Sequence, residues 1–171
     1  MRFSSARACS MVLALIFPCF CSAQDNLLKP FTTDGCSIWV DGTPTQPYLW
    51  RHCCVAHDRT YWVGGSAEER QVSDRKLQAC IAEVGGKGMA DYMYFFVTSG
   101  GSPLWLTSYR WGYGWRYLEG GKPRGYKVLT PTEQRQLEAL AAQAEQTIEE
   151  DAIKHPSLFM LLEKPGARVF R

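Results

Sequence analysis

Long apolar runs are what this chain most lacks. No stretch approaches the ~20 apolar residues that a membrane-spanning helix needs, and the greasiest one, Met11 to Phe20, falls far short. A surplus of either charge is missing too. Lys and Arg number 19 against 17 Asp and Glu, and removing residues 1–23 takes away Arg2 and Arg7, which leaves 17 against 17. A formally neutral chain lacks the cationic excess that phosphate backbones require, so nucleic acid is not the expected partner. Internal repeats, low-complexity tracts and linkers are also absent, and nothing divides the chain into several domains.

The segment 1–23 reads as a secretory signal peptide. It has a positive start at Arg2 and Arg7, a short apolar middle, and the small residues Ser22-Ala23 before a predicted cleavage. Neither Cys19 nor Cys21 follows the small residues that a lipoprotein site needs. The remaining residues, 24–171, are enough for a single domain with its own core. The expected location is secreted or periplasmic. Three of the seven cysteines leave with the signal, and Cys36, Cys53, Cys54 and Cys80 remain. An even number in an exported chain implies two disulfides. A zinc site formed by these cysteines with His57 is the rival reading, and an oxidising compartment disfavours it.

Local signals predict a mainly α protein. Asp34-Gly35-Cys36-Ser37 and Asp41-Gly42-Thr43-Pro44 are turn chemistry in an irregular lead-in. A first helix is expected from Pro47 to the Gly64-Gly65 stop. Ser66-Ala67-Glu68-Glu69 is a capping box that opens a second helix, expected to run to Gly85-Gly86, with Leu77, Cys80, Ile81 and Val84 as its apolar stripe. Residues 88–98 read as a third, mostly buried helix. Between Trp111 and Tyr117 aromatic residues alternate with Gly or Arg, a strand-like period of two weakened by the glycines. Thr130-Pro131-Thr132-Glu133 opens a last helix to about Lys154, with Leu137, Leu140, Ala141, Ala144 and Ile148 turned inward. His155-Pro156 ends it.

The chemistry concentrates in Cys53-Cys54-Val55-Ala56-His57-Asp58-Arg59-Thr60-Tyr61. Asp74 shares the apolar stripe of the second helix, and a carboxylate on a buried face needs a partner. In an antiparallel pair, residues at the same level have a constant sum of numbers. His57 with Asp74 gives 131 and Cys53 with Cys80 gives 133. The mismatch is only ~3 Å of helix rise, so one hairpin could bring both pairs together. His57 would then be a general base whose second ring nitrogen is held by Asp74. No serine or cysteine is evidently activated, which leaves water as the nucleophile. Asp58 points about 100° away from its neighbour on a helix and could hold a hard cation such as calcium, together with carbonyl oxygens of the loop 34–43.

These residues resemble the secreted, calcium-dependent phospholipase A2 enzymes. The similarity covers about residues 34–81: Gly35-Cys36, the run Cys53 to Asp58, Tyr61, Asp74 and Cys80. The resemblance implies an antiparallel helix hairpin with disulfides Cys36–Cys54 and Cys53–Cys80, further helices and a small aromatic-rich β or irregular segment. It implies that His57 activates water, with Asp74 as its partner and Tyr61 bonded to that aspartate. It gives Ca2+ as the cofactor, with Asp58 as its carboxylate and Gly35, Ser37 and Trp39 as carbonyl donors; Asp41 is a further candidate ligand. Closing the Cys36–Cys54 interval would contribute ~3 kcal/mol and would hold the loop beside the helix. The substrate implied is a glycerophospholipid at a membrane surface, hydrolysed at an acyl ester. The stretch after Cys36 departs from the family pattern: it is not glycine-rich, and it is two residues longer before the helix.

Other readings remain open. The His57, Asp58 and Asp74 set could be a structural polar cluster, and Tyr61 an ordinary core residue. The loop departure motivates a non-catalytic binding protein with a lost or altered calcium loop. An effector that damages a competitor's membrane would share all these motifs. The rings and cations of Trp105–Tyr126 suit a membrane interface, or more simply a β-hairpin packing its aromatics on the helices.

Overall fold

The computed structural model describes residues 26–157. The expected signal peptide, residues 1–23, and the apolar cluster Leu158–Leu162 lie outside them. Helix α1 spans Arg51–Val63, α2 Ala67–Gly100 and α3 Pro131–Lys154; a two-residue antiparallel ladder joins β1, Leu118–Glu119, to β2, Lys122–Pro123. Among the described residues, no helix is long and apolar enough to cross a membrane.

Capping boxes set two of the helix starts. The Ser66 hydroxyl accepts the Glu69 N–H while Glu69 reaches back to the Ser66 N–H, and Thr130 and Glu133 repeat the pattern at α3. Helix α1 begins four residues later than Pro47 predicts. Trp50 is held outside the helix, its backbone N–H on the Asp41 carbonyl and its indole N–H on the Val40 carbonyl. The chain does break at Gly86, whose φ of 79° and ψ of 164° are not helical, but α2 resumes at once and runs to Gly100. Beyond the break the helix is not mostly buried. Ala90 and Met93 face the core, whereas Tyr92, Phe95 and Phe96 are exposed.

Two disulfides are present, Cys36–Cys54 and Cys53–Cys80, paired as the resemblance implies. With Trp50, Leu77, Ile81, Ala90 and Met93 they form one core between α1 and α2. Contacts Cys53–Cys80, His57–Asp74 and Tyr61–Arg70 descend α2 as they climb α1, so the two helices run antiparallel. A second core, on the other side of α1, gathers Leu28, Phe31, Trp62, Trp115 and Ala144, with Leu137, Leu140 and Ile148 of α3 packed on it.

The segment 111–117 is a series of turns rather than the strand its alternation predicts. Its role is to satisfy the carbonyls that end α1, which have no partners within the helix. The Gly112 N–H bonds the Tyr61 carbonyl at 2.6 Å, the Gly114 N–H bonds Trp62 at 3.1 Å, and the Trp115 indole bonds Val63 at 2.8 Å. Such close approach explains the alternate glycines. A Cβ at Gly114 would collide with the Trp62 ring, and one at Gly64 would come within 2.8 Å of the Gly112 Cα.

Candidate active site

The antiparallel α1–α2 pair brings His57 and Asp74 into contact. The His57 Nε2 lies 2.9 Å from Asp74 Oδ1, and both side chains are buried. The Tyr61 hydroxyl donates to the same oxygen at 2.7 Å. Since an ionised carboxylate only accepts, Nε2 carries the imidazole proton and Nδ1 holds the free lone pair. Among the described residues, Nδ1 makes no hydrogen bond, and His57 lines the main cavity. Burial pushes His57 below its usual pKa, with Asp74 opposing and the Arg70 charge reinforcing the shift. The imidazole is therefore neutral, as a base must be. Burial, and after it the Asp74 charge, raises the Tyr61 pKa and keeps the phenol protonated.

Arg70, four residues before Asp74 on α2, is a residue the sequence reading missed. Its buried guanidinium donates from Nε to the Tyr61 hydroxyl at 3.0 Å and from Nη2 to the carbonyls of Val97 and Thr98. Nη1 reaches the Tyr126 hydroxyl at 2.8 Å. The i, i+4 spacing to Asp74 was the available signal; the carbonyl partners near the end of α2 had none.

The cavity beside His57 has a volume of about 310 Å³. One wall is the loop Gly35, Ser37, Ile38 and Trp39 with Asp58; the other is the far half of α2, through Met93, Phe96 and Val97. Gly35, Ser37, Trp39, Asp58, His57 and Tyr61 thus share one site. Asp74 stands behind His57 and does not line the cavity, nor does Asp41. The Asp41 Oδ1 accepts the Cys36 N–H at 2.8 Å, and its other oxygen pairs with Arg51.

Asp58 accepts one hydrogen bond from the Thr33 hydroxyl at 2.7 Å. Burial pushes its pKa well above the ordinary carboxylate value, and the Asp34 and Asp151 charges push the same way, against Thr33 and Arg51. Asp58 offers a carboxylate on the same cavity wall as Gly35, Ser37 and Trp39, and oxygen is the donor type that a hard divalent cation takes. In donor type these residues are compatible with calcium. Among the described residues, no zinc site is offered by the cysteines. The close trio His52, Cys53 and Cys80 has both sulfurs joined in a disulfide, so neither is the thiolate that zinc binds.

No protein-family model, curated protein or solved structure matches this chain.

Proposed function

We propose that this protein is a calcium-dependent hydrolase of glycerophospholipid acyl esters, of phospholipase A2 type, acting in an exported compartment. The observation that carries the reading is the relay Tyr61–Asp74–His57, which leaves Nδ1 of a neutral imidazole beside a cavity whose wall also holds Asp58. In this reading Nδ1 takes a proton from water as its oxygen attacks the ester carbonyl. Asp74 steadies the imidazolium that forms, and Tyr61 fixes the carboxylate. His57 then returns the proton to the departing glycerol oxygen, which yields a free fatty acid and a lysophospholipid.

Asp58 and the backbone carbonyls of Gly35, Ser37 and Trp39 would hold the calcium ion. When bound, the ion supplies a Lewis acid for the ester carbonyl and an anchor for the phosphate. The cavity walls support a lipid substrate. Leu77, Met93, Phe96 and Val97 are apolar, and the exposed rings of Trp39, Tyr92, Phe96 and Phe95 form a continuous series in that order, with successive centroids 5.0, 4.6 and 5.4 Å apart, the first three of them lining the cavity. Aromatic rings of this kind favour a lipid–water boundary.

The test is fatty-acid release from mixed phospholipid vesicles. Release is expected with calcium, none in chelator, and none from His57→Gln, which should fold normally. Vesicles left intact by the calcium-loaded wild type would favour the non-catalytic alternative instead.

A further inference from the structure

Glycines do not hold the loop beside Asp58; one guanidinium does. Arg51, the first residue of α1, is only 8 % exposed. Its Nη1 donates to the Asp34 carbonyl at 3.0 Å and to the Asp41 carboxylate. Its Nε and Nη2 form a two-point pair with Asp151, at 2.9 and 2.6 Å. Asp41 in turn accepts the Cys36 N–H. Both ends of the loop, and the residue after Gly35, are thus tied to one fork, which is itself anchored in the last turn of α3, 100 residues along the chain. Gly35 packs directly on this fork, with φ at 82° and no room for a Cβ beside Arg51 and Asp41. A planar group with five donors in fixed directions can hold three acceptors at once, whereas an ammonium group cannot hold them in this plane.

We propose that Arg51 is the positioning residue of the ion-binding loop, and that Asp151 makes α3 a structural part of that site. This rests on the calcium reading of Asp58 and residues 35–39. It adds a role for a helix that lies outside the 34–81 stretch. Two effects of Arg51 oppose each other. As a positive charge near Asp58 it repels a cation, so through its field alone its removal would tighten ion binding. As a brace it holds the donors in place, so its removal weakens binding. The sign of the change tells them apart.

Indole-sensitised terbium luminescence, with calcium as competitor, reads ion affinity without any turnover. Wild type is expected to bind and Asp58→Asn to lose binding. A wild type that binds no terbium, or an Asp58→Asn that binds as tightly, brings down the calcium reading and the brace together. With those controls met, Arg51→Met is expected to bind about tenfold more weakly, the usual scale for removing a group that orients metal ligands. Unchanged or tighter binding overturns the brace and leaves the calcium reading standing. Arg51→Lys keeps the charge and loses the fork, and it serves if circular dichroism shows Arg51→Met unfolded. It too is expected to bind more weakly, and unchanged affinity overturns the proposal.

Discussion

His57 is neutral and oriented because of its burial and one neighbour, Asp74. Burial lowers its pKa below 6.5, and Asp74 fixes its proton on Nε2. Because the folded value is depressed, the unfolded chain binds the proton more readily between the two values. The stability contribution is therefore complete above pH 6.5 and is lost as pH falls through the lowered value. On the proposed hydrolysis, the same shift sets the acid limb of kcat/KM, which is expected below pH 6.5; a limb above it in a pH–rate profile would contradict burial as the ruling influence. Tyr61 permits a finer measurement. Tyr61→Phe removes the hydrogen bond to the buried Asp74 carboxylate, about 1.5 kcal/mol, together with the one from Arg70 Nε, and should lower kcat/KM roughly tenfold. An unchanged rate would make the phenol a packing residue only.

At the scale of elements, α3 shows how local signals and distant partners combine. Thr130 and Pro131 define its start in the sequence, and the structure adds Arg124 and Lys127, both paired with Glu133. Burial opposes the Glu133 charge, but hydrogen bonds from Arg124, the Thr130 N–H and Lys127 outweigh it and hold the carboxyl down to about 2. Its contribution is fully present above pH 4.5 and is lost as pH falls through about 2. Glu133→Gln should therefore destabilise the protein at neutral pH by up to about 3 kcal/mol. The gap in melting temperature should hold from pH 7 to about pH 4.5 and narrow below it towards pH 2; a gap that stays constant over that acid range would refute the ionic origin. The segment 111–117 is the contrary case. Its period of two was real in the sequence, yet the glycines serve close contact with the end of α1, and no strand forms there.

At the scale of the molecule, α1 is the shared spine. One side carries the disulfides and α2, the other carries Trp62, the lead-in segment and α3. Phe31 and Leu28 are held to α3 by Gln143 and Gln136, which closes the second core. The disulfides brace the first. Replacing Cys36 and Cys54 together by alanine frees an interval of 18 residues and should cost about 3 kcal/mol in urea unfolding. The Cys53–Cys80 pair closes 27 residues and should cost a similar ~3 kcal/mol. Only the first replacement should also weaken terbium binding, because only Cys36 lies on the cavity loop. Equal loss from both pairs would mean that the loop has no separate dependence on its bridge.

The sequence by itself determined the mainly helical class, the Gly64-Gly65 stop, the capped starts at Ser66 and Thr130, and the levels at which His57 could meet Asp74. Those features follow from backbone hydrogen bonds satisfied within a few residues and from the fixed rise of a helix. Tertiary structure alone decided that Arg51 reaches Asp151, that Arg70 reaches the carbonyls near the end of α2, and that Asp41 serves the loop rather than lining the cavity. Each of these depends on which faces meet across tens of residues, and helical spacing says only that a face exists, not what will cover it.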